Sequence, residues 1–449
     1  MPFDLALPFT LYPLTFTVYL LYSFLFTVGA IVSAPYYLWR YRGRRYGAEG
    51  WRERLGWLPT SYQQTAPGAI WVHAVSVGET LAVAGLVREL QQRYPERKVF
   101  LSHVTPTGRA TGESRLPDVA GRFYLPLDWR WSVERVLRRI QPGLLVIAET
   151  ELWPNLLRAT HDFGARVALV NARLSERSCR GYRRLRPFMR RVLAHVDCVC
   201  AQSPAGAERF CLIGAAPSRV VVTGNLKFDA KPPALGVLPE RLQRALQNAA
   251  RSPVLVAAST MPGEEEPVLD AWKAVRQRHV RALMILAPRH PNRCETVGQM
   301  LLSRRVSFFR RTELQESETE LTSQLATADV LLLDTIGELA GLFQVADVVF
   351  MGGSLVPTGG HNLLEAAYWA KAVIFGPHME NFRDTAELFL AEHAAFQVQD
   401  SDGLARGLLS LLGDTDLRNQ TGRQAKQVLE RESGATRRVL DQLASLLAM

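Results

Sequence analysis

Ala69-Ile70-Trp71-Val72-His73-Ala74-Val75-Ser76-Val77-Gly78-Glu79-Thr80 is the stretch whose reading decides the fold. Residues 69–75 form a short apolar run, the pattern of a strand buried on both faces of a parallel sheet. Ser76-Val77-Gly78 breaks the run, and a helical spacing follows from Thr80 through Leu81, Val83, Ala84, Leu86, Val87 and Leu90. Glu79 therefore falls where a strand hands over to a helix. In open α/β sheets that carboxyl edge is where ligands bind. Two readings of Glu79 stand at this point: a general base, or an acid matched to the positive end of a helix dipole.

Working outward, apolar runs recur at 98–103, 122–125, 144–149, 166–171, 198–202 and 220–223, with helical patterns such as 80–92, 132–140 and 204–213 between them. Strand–helix alternation with short loops predicts βαβ units on a parallel sheet. Lys231-Pro232-Pro233 interrupts it. The alternation restarts with runs at 254–259, 283–287, 306–310, 330–334, 347–351, 372–375 and 395–398, and helices close the chain. The expected fold is α/β, with two doubly wound Rossmann-like lobes, 61–230 and 246–449, joined by a linker at 231–245 and facing each other across a cleft. Neither lobe carries G-x-G-x-x-G after its first strand, and G-x-x-x-x-G-K-[ST] is absent. Dinucleotide dehydrogenases and P-loop phosphotransferases are therefore disfavoured.

A length of 449 residues fits two or three cores, and 47% hydrophobic with 21% charged residues is ordinary for globular domains. The formal charge of +10 points to a polyanionic partner. Five scattered cysteines (179, 198, 200, 211 and 294) fit reduced thiols rather than a disulfide framework. Residues 1–39 break the soluble pattern. No charge occurs from Leu5 to Trp39, and Leu14 to Ala34 is 21 residues, near the length that spans a bilayer. A basic linker, 40–60, follows with Arg40, Arg42, Arg44 and Arg45, placing the downstream side in the cytoplasm. Thr15, Thr17, Ser23, Thr27 and Ser33 dilute the apolar segment, so a helix docked at the interface competes with a crossing one.

Several strand-end loops carry chemistry-bearing residues. Ser76, Gly78 and Glu79 end the first strand, and Thr105-Pro106-Thr107-Gly108 follows the second. Glu149-Thr150-Glu151 places two carboxylates at the end of a buried run. Arg173 and Arg177 open a segment with eight arginines up to Arg191, interleaved with Leu185, Phe188, Met189, Val192, Leu193 and Val196 at helical spacing. That basic face is either a solvated cover over a core or a contact for anionic lipid or phosphorylated substrate. Few aromatic residues interleave with the arginines and no nucleic-acid motif occurs, so no nucleic-acid partner is expected. No obligate protein partner is evident either.

In the second lobe Pro288-Arg289 ends a strand, and Ile336-Gly337-Glu338 lies just past another. The loop 352–362 holds two glycine pairs before Asn362-Leu363-Leu364-Glu365, with a helix expected from His361. Exposed N–H groups there suit a phosphate, with Arg289 as countercharge. Glu365 either reaches a ribose or closes a capping box begun by Asn362. Asp400-x-Asp402 and Asp414-x-Asp416 read as helix caps rather than metal ligands, and no metal or cofactor is expected.

With these residues assembled, the chain resembles the 3-deoxy-D-manno-octulosonic acid (Kdo) transferases of lipopolysaccharide synthesis. The resemblance rests on S-V-G-E at 76–79, T-P-T-G at 105–108, E-T-E-L-W-P-N at 149–155, N-A-R-L-S-E-R-S at 171–178 and G-N-L-K-F-D at 224–229. It continues through A-P-R-H-P at 287–291, G-E-L at 337–339 and G-G-S-L-V-P-x-G-G-H-N at 352–362. It implies a GT-B fold, CMP-Kdo as donor, and the tetraacyl lipid A precursor at the cytoplasmic face of the bacterial inner membrane as acceptor. It implies Glu79 as base, with Glu149 and Lys227 as the pair that stabilises the transition state. CMP would contact Pro288, Arg289, Ile336, Gly337, Glu338, Asn362, Leu363, Leu364 and Glu365. Ser76, Gly78, Thr105, Thr107, Gly108, Arg173 and Arg177 are candidates for the acceptor or its anionic groups. Two positions depart from the family pattern. Asn362-Leu363-Leu364-Glu365-Ala366 stands where Asn-Pro-Leu-Glu-Pro is expected, and His103 replaces a small hydroxyl residue.

Overall fold

The structure, a computed structural model, describes residues 12–40, 47–62, 67–230 and 237–448. Arg42, Arg44 and Arg45 of the basic linker, and Lys231-Pro232-Pro233, lie outside the described residues. Two compact units are present, one of residues 1–230 with 433–449, the other of residues 231–432.

The sheet of the first unit contains β1 (Ala69–His73), β2 (Val99–His103), β3 (Gly121–Tyr124), β4 (Pro142–Ala148), β5 (Arg166–Ala172), β6 (Cys198–Ala201) and β7 (Val220–Val222). Its order is β3-β2-β1-β4-β5-β6-β7, parallel throughout. The order reverses between β1 and β4, the switch point at which doubly wound sheets open a crevice at their carboxyl edge. Side chains alternate between the two faces of β1 as strand geometry requires. Ala69 and Trp71 join one apolar cluster with Phe100, Phe123, Leu137 and Phe210. Ile70 and Val72 join another, with Val83, Leu86 and Leu90 of the helix Val77–Arg93.

The second unit repeats the plan with β8 (Val254–Thr260), β9 (Leu283–Pro288), β10 (Phe308–Arg310), β11 (Val330–Leu332), β12 (Val348–Met351), β13 (Ala372–Phe375) and β14 (Ala395–Gln397). The order is β10-β11-β9-β8-β12-β13-β14, again parallel, with its switch between β8 and β12.

Three expectations change. The helix after β1 starts at Val77, not Thr80, because the Ser76 hydroxyl caps it, which puts Glu79 inside the first turn. The arginine-rich segment is two helices, Glu176–Arg184 and Arg186–Leu193, broken at Leu185 just ahead of Pro187. The final helix, Ala435–Leu447, belongs to the first unit although 246–449 was expected to form one lobe. Its Ala435, Val439, Leu440 and Leu443 fill the cluster of Ile70, Val146 and Val170. Polar bonds lock it there. Asp229 accepts from Gly434 N at 2.6 Å and Thr436 N at 2.5 Å, and Arg438 Nε donates to Thr223 O at 2.7 Å.

The helix Tyr12–Arg40 contains a 20-residue stretch, Thr17–Tyr36, long and apolar enough to cross a membrane. One side of it lies on the first unit. Tyr19 meets Phe188, Phe26 meets Trp129 and Trp153 edge-on, and Trp129 Nε1 donates to Thr27 Oγ1 at 2.9 Å. Leu20, Leu21, Phe24, Leu25, Ile31 and Val32 are exposed.

Leu443→Ala should leave a cavity under β4 and β5 costing about 2–5 kcal/mol. Amide exchange should then quicken across β4 and β5 and stay unchanged in β8–β14; the reverse pattern would contradict the placement of this helix.

Candidate functional site

Glu79 owes its geometry to the capping of its own helix. Its N–H points at Ser76 Oγ at 3.5 Å, while its carboxylate accepts from Ser76 Oγ at 2.9 Å and from Val75 N at 2.8 Å. The dipole-matching role weighed from the sequence is therefore present. It does not exhaust the residue. Burial pushes the Glu79 carboxyl up to about 7 against the lowering effect of the Val75 and Ser76 bonds, and the charges of Glu149 and Glu151 push the same way as burial. A capping acid in water stays near 4. Glu79 instead changes charge near neutral pH, which is the property a general base needs.

Glu149 directly follows β4, the neighbour of β1 at the switch point. Its φ is +56°, a left-handed conformation that costs a non-glycine residue about 1–3 kcal/mol and that clusters at functional sites. Lys227 Nζ lies 3.6 Å from Glu149 Oε1. The lysine is carried on a 3-10 turn, Leu226–Asp229, capped by Asn225 Oδ1 on Lys227 N at 3.0 Å. Buried Asn171 at the end of β5 accepts from Leu226 N at 2.9 Å. Asp229, in the same turn, receives the N-terminus of the last helix. Thus N-A-R at 171–173 and N-L-K-F-D at 225–229 meet at one edge of one sheet. Glu151, which accepts from Trp153 Nε1 at 2.8 Å, also has its carboxyl raised by burial.

The other candidates of this unit divide by exposure. Thr105 is consumed by structure, its hydroxyl capping the helix Pro106–Arg115 by accepting from Gly108 N at 3.0 Å and donating to Val75 O at 3.1 Å. Gly108 is buried, and a Cβ there would sit 2.9 Å from Val75 O, so it serves close approach of that helix to the Glu79 loop. Gly78, Thr107 and Arg177 are exposed; Ser76 and Arg173 are half-buried. His103 is fully buried, with Nδ1 2.9 Å from Ala74 O, and burial lowers it to about 4. It is neutral at pH 7 and is no rival to Glu79 for a proton.

In the second unit, Pro288 is the buried last residue of β9, and Arg289 is exposed beyond it, its N–H donating to Thr260 O at 2.9 Å. Ile336 is 83% exposed and Gly337 has φ +91° in the loop after β11. Glu338 is paired with Arg311 Nη2 at 2.9 Å and accepts from the Thr335 hydroxyl. The loop after β12 turns on Gly353, φ +68°, where a Cβ would meet His361 at 2.9 Å. The helix beyond begins at Leu364, not His361. Asn362 Oδ1 accepts from Leu364 N at 3.2 Å and its amide donates to Glu365 Oε1 at 3.4 Å, a side-chain contact in place of the capping box weighed for this pair, since the helix takes Leu363 as its N-cap without a side-chain bond. Leu363 and Leu364 are buried, so only their backbone is available to a ligand. Burial, with the positive fields of Arg289 and His290 acting in the same direction, lowers His361 to about 4. Arg289 and His290 of the β9 loop thus lie within electrostatic reach of the glycine loop at His361. The aspartates at 400 and 414 cap their helices through Gly403 N at 2.8 Å and Leu417 N at 2.9 Å.

Two acids outside the expected set organise this unit. Glu264, 0% exposed, accepts from Met261 N at 2.8 Å, Gly353 N at 2.6 Å, Ser354 N at 2.9 Å and Leu355 N at 2.8 Å. Glu265 is held by Arg293 Nη1 at 2.6 Å and Thr260 Oγ1 at 3.1 Å. Their sequence signal was an acid directly after β8, the same position that singled out Glu79 after β1.

Residues 49–230 match the family model described as 3-deoxy-D-manno-octulosonic-acid transferase (kdotransferase). A 3-deoxy-D-manno-octulosonic acid transferase of Haemophilus influenzae is 34% identical over 387 residues, 85% of this chain and 88% of the relative. That of Bordetella pertussis is 35% identical over 423 residues, 92% of this chain and 96% of the relative. Among solved structures, a UDP-GlcNAc 2-epimerase from Neisseria meningitidis superposes with a TM-score of 0.56 at 12% identity, covering 84% of this chain and all of its own, a likeness of fold alone. With relatives this similar over most of its length, the chain belongs to the Kdo transferases, and it is a glycosyltransferase.

Proposed function

We propose that the enzyme moves Kdo from CMP-Kdo to the tetraacyl lipid A precursor with inversion at the anomeric carbon, and that Glu79 is the base. The observation that carries this reading is the half-buried Glu79 carboxyl, raised to about 7, beside Glu149 and Glu151 at the switch of the first sheet. The acceptor is a sugar hydroxyl, whose proton is lost far above pH 7, so attack needs a base at hydrogen-bond distance. Ionised Glu79 takes that proton as the oxygen bonds to the anomeric carbon. The bond to the CMP phosphate breaks on the opposite side, and CMP departs with the electron pair.

Negative charge grows on the leaving phosphate. Lys227, oriented by Glu149, supplies a preorganised cation to meet it, with no resident metal assigned in this reading. The second unit supplies the donor site: Arg289 and the N–H groups around 359–365 for the phosphate, and the exposed loop at 336–338 for the nucleoside. Gly78, Thr107 and Arg177, exposed near the Glu79 edge, are assigned to the acceptor and its phosphates.

We further propose that the helix Tyr12–Arg40 holds the enzyme on the cytoplasmic face of the inner membrane by burying its exposed apolar side in lipid. Arg180, Arg183, Arg184, Arg186 and Arg190, all exposed, belong to the helix pair whose Phe188 touches that helix. Their charge suits an anionic lipid surface.

Glu79→Gln should lower transfer by about 10²–10⁴-fold, the range of general-base catalysis, while CMP binding by calorimetry is kept. Near-normal turnover in that variant would remove Glu79 from the mechanism. In the wild type kcat/KM should rise with pH through about 7, since a raised carboxyl must lose its proton before it can accept one. Glu151→Gln removes a neighbouring negative charge, so this rise should move to lower pH. Glu264→Gln places an amide NH₂ against backbone donors. It should raise the Kd for CMP by about tenfold or more, on the scale of one lost bond to a charged group.

A further inference from the structure

A tether needs only an apolar surface, yet the N-terminal helix spends its polar side chains on the first unit. Tyr19, Tyr22, Ser23, Phe26 and Thr27 fall at helical spacing on one side. Tyr22 Oη donates to Asp128 Oδ2 at 2.8 Å, and Ser23 Oγ accepts from Asn155 Nδ2 at 3.0 Å. Those two partners are joined. Asp128, 2% exposed, accepts from Asn155 N at 3.0 Å and Leu156 N at 2.7 Å, and Asn155 Nδ2 also donates to Asp128 O at 2.6 Å. Burial pushes the Asp128 carboxyl up to about 6, against the bonds from Asn155, Tyr22 and Leu156. Each donor it loses leaves a buried acid less satisfied.

Asn155 and Leu156 close the segment that begins at Glu149. Between them the chain is fastened by the Thr150 hydroxyl on Arg173 O, by Trp153 on Glu151, and by the edge of Phe26 against Trp153. The carboxylate with left-handed backbone thus stands at one end of a short segment, and the N-terminal helix grips the other.

We propose that the N-terminal helix is a working part of the transfer site: Tyr22 and Ser23 are positioning residues that hold Asp128 and Asn155, and through them the Glu149–Trp153 segment. The inference rests on the reading of Glu149 as one of the groups that stabilise transfer. It accounts for two of the five hydroxyls that dilute the apolar run. Ser23 and Thr27 face the protein, where they are hydrogen-bonded, and are not a defect of a lipid-facing surface.

The test uses the full chain and Tyr22→Phe, which keeps the ring contacts with Phe26 and Phe188 and deletes only the hydroxyl. Transfer from CMP-Kdo is measured with lipid A precursor dispersed in detergent, where tethering to a bilayer gives no advantage. The expected result is a fall in kcat of about tenfold, the scale of one hydrogen bond to a charged group, with the KM for CMP-Kdo within about twofold. Sedimentation with phosphatidylglycerol-containing vesicles should be unchanged, and amide exchange at Asn155 and Leu156 should quicken. A wild-type kcat in detergent overturns the inference, as does a loss seen only on vesicles. Should Tyr22→Phe not fold, Ser23→Ala carries the same expectations. If the wild type itself transfers no Kdo, the functional reading fails, whereas unaltered exchange at Asn155 and Leu156 overturns the brace by itself.

Discussion

Gathering Glu79, Glu149 and Glu151 within electrostatic reach at one sheet edge is unfavourable, because each carboxylate raises the cost of ionising the next. The architecture of the first unit follows from holding them there. β1 and β4 are adjacent at the switch point, so the loops after them are brought side by side. Lys227 offsets part of the charge, and its position depends on Asn171 at the end of β5 and Asn225 in its own turn. The last helix then becomes intelligible. It follows the second unit in the chain, has its N-terminal N–H groups capped by Asp229 and shares an apolar cluster with Leu226, and so braces the turn that carries the lysine.

Loops that carry function lack a ladder to satisfy their backbone, and buried N–H groups without partners are costly. Here the acceptors are buried carboxylates. Glu53 takes Tyr124 N and Arg109, Asp128 takes the first turn of the helix Pro154–Asp162, and Glu264 takes the glycine loop after β12. A carboxylate has about four acceptor directions and therefore gathers several amides at one point. That economy lets irregular segments at both sheet edges be rigid without regular structure.

The strands were legible because parallel strands buried on both faces read as unbroken apolar runs, and their ends marked the loops where Glu79, Glu149 and Arg289 were sought. Fold class and the candidate edge followed directly. What stayed hidden was tertiary. Val439, Leu440 and Leu443 say that the last helix has a buried side, but an amphipathic pattern carries no address, so chain order misassigned it. The start of the helix at Val77 was missed because Val77-Gly78-Glu79 shows no apolar period, although Ser76 with Glu79 three residues on is a capping signature. Asp128 gave no local sign either, since its partner Asn155 lies 27 residues away, and the acid after β8 did not show that three of Glu264's donors lie about 90 residues on.

The two units offer a comparison that sharpens the meaning of Glu79. Each first strand ends in a similar way, Ser76-Val77-Gly78-Glu79 after β1 and Met261-Pro262-Gly263-Glu264 after β8, and each acid stands beside its own switch point. Glu264 receives four backbone N–H groups and is fully buried. Its lone pairs are occupied by donors that cannot leave without collapse of the glycine loop, so it has nowhere to put a proton from a substrate. Glu79 receives one backbone N–H and one hydroxyl, keeps part of its surface open, and sits among other acids rather than among amides. The same residue at the same place in the same fold is thus a brace in one unit and a candidate base in the other. The difference lies in how many donors converge on it: four backbone N–H groups occupy the Glu264 carboxylate, whereas Glu79 keeps part of its surface open to a substrate hydroxyl.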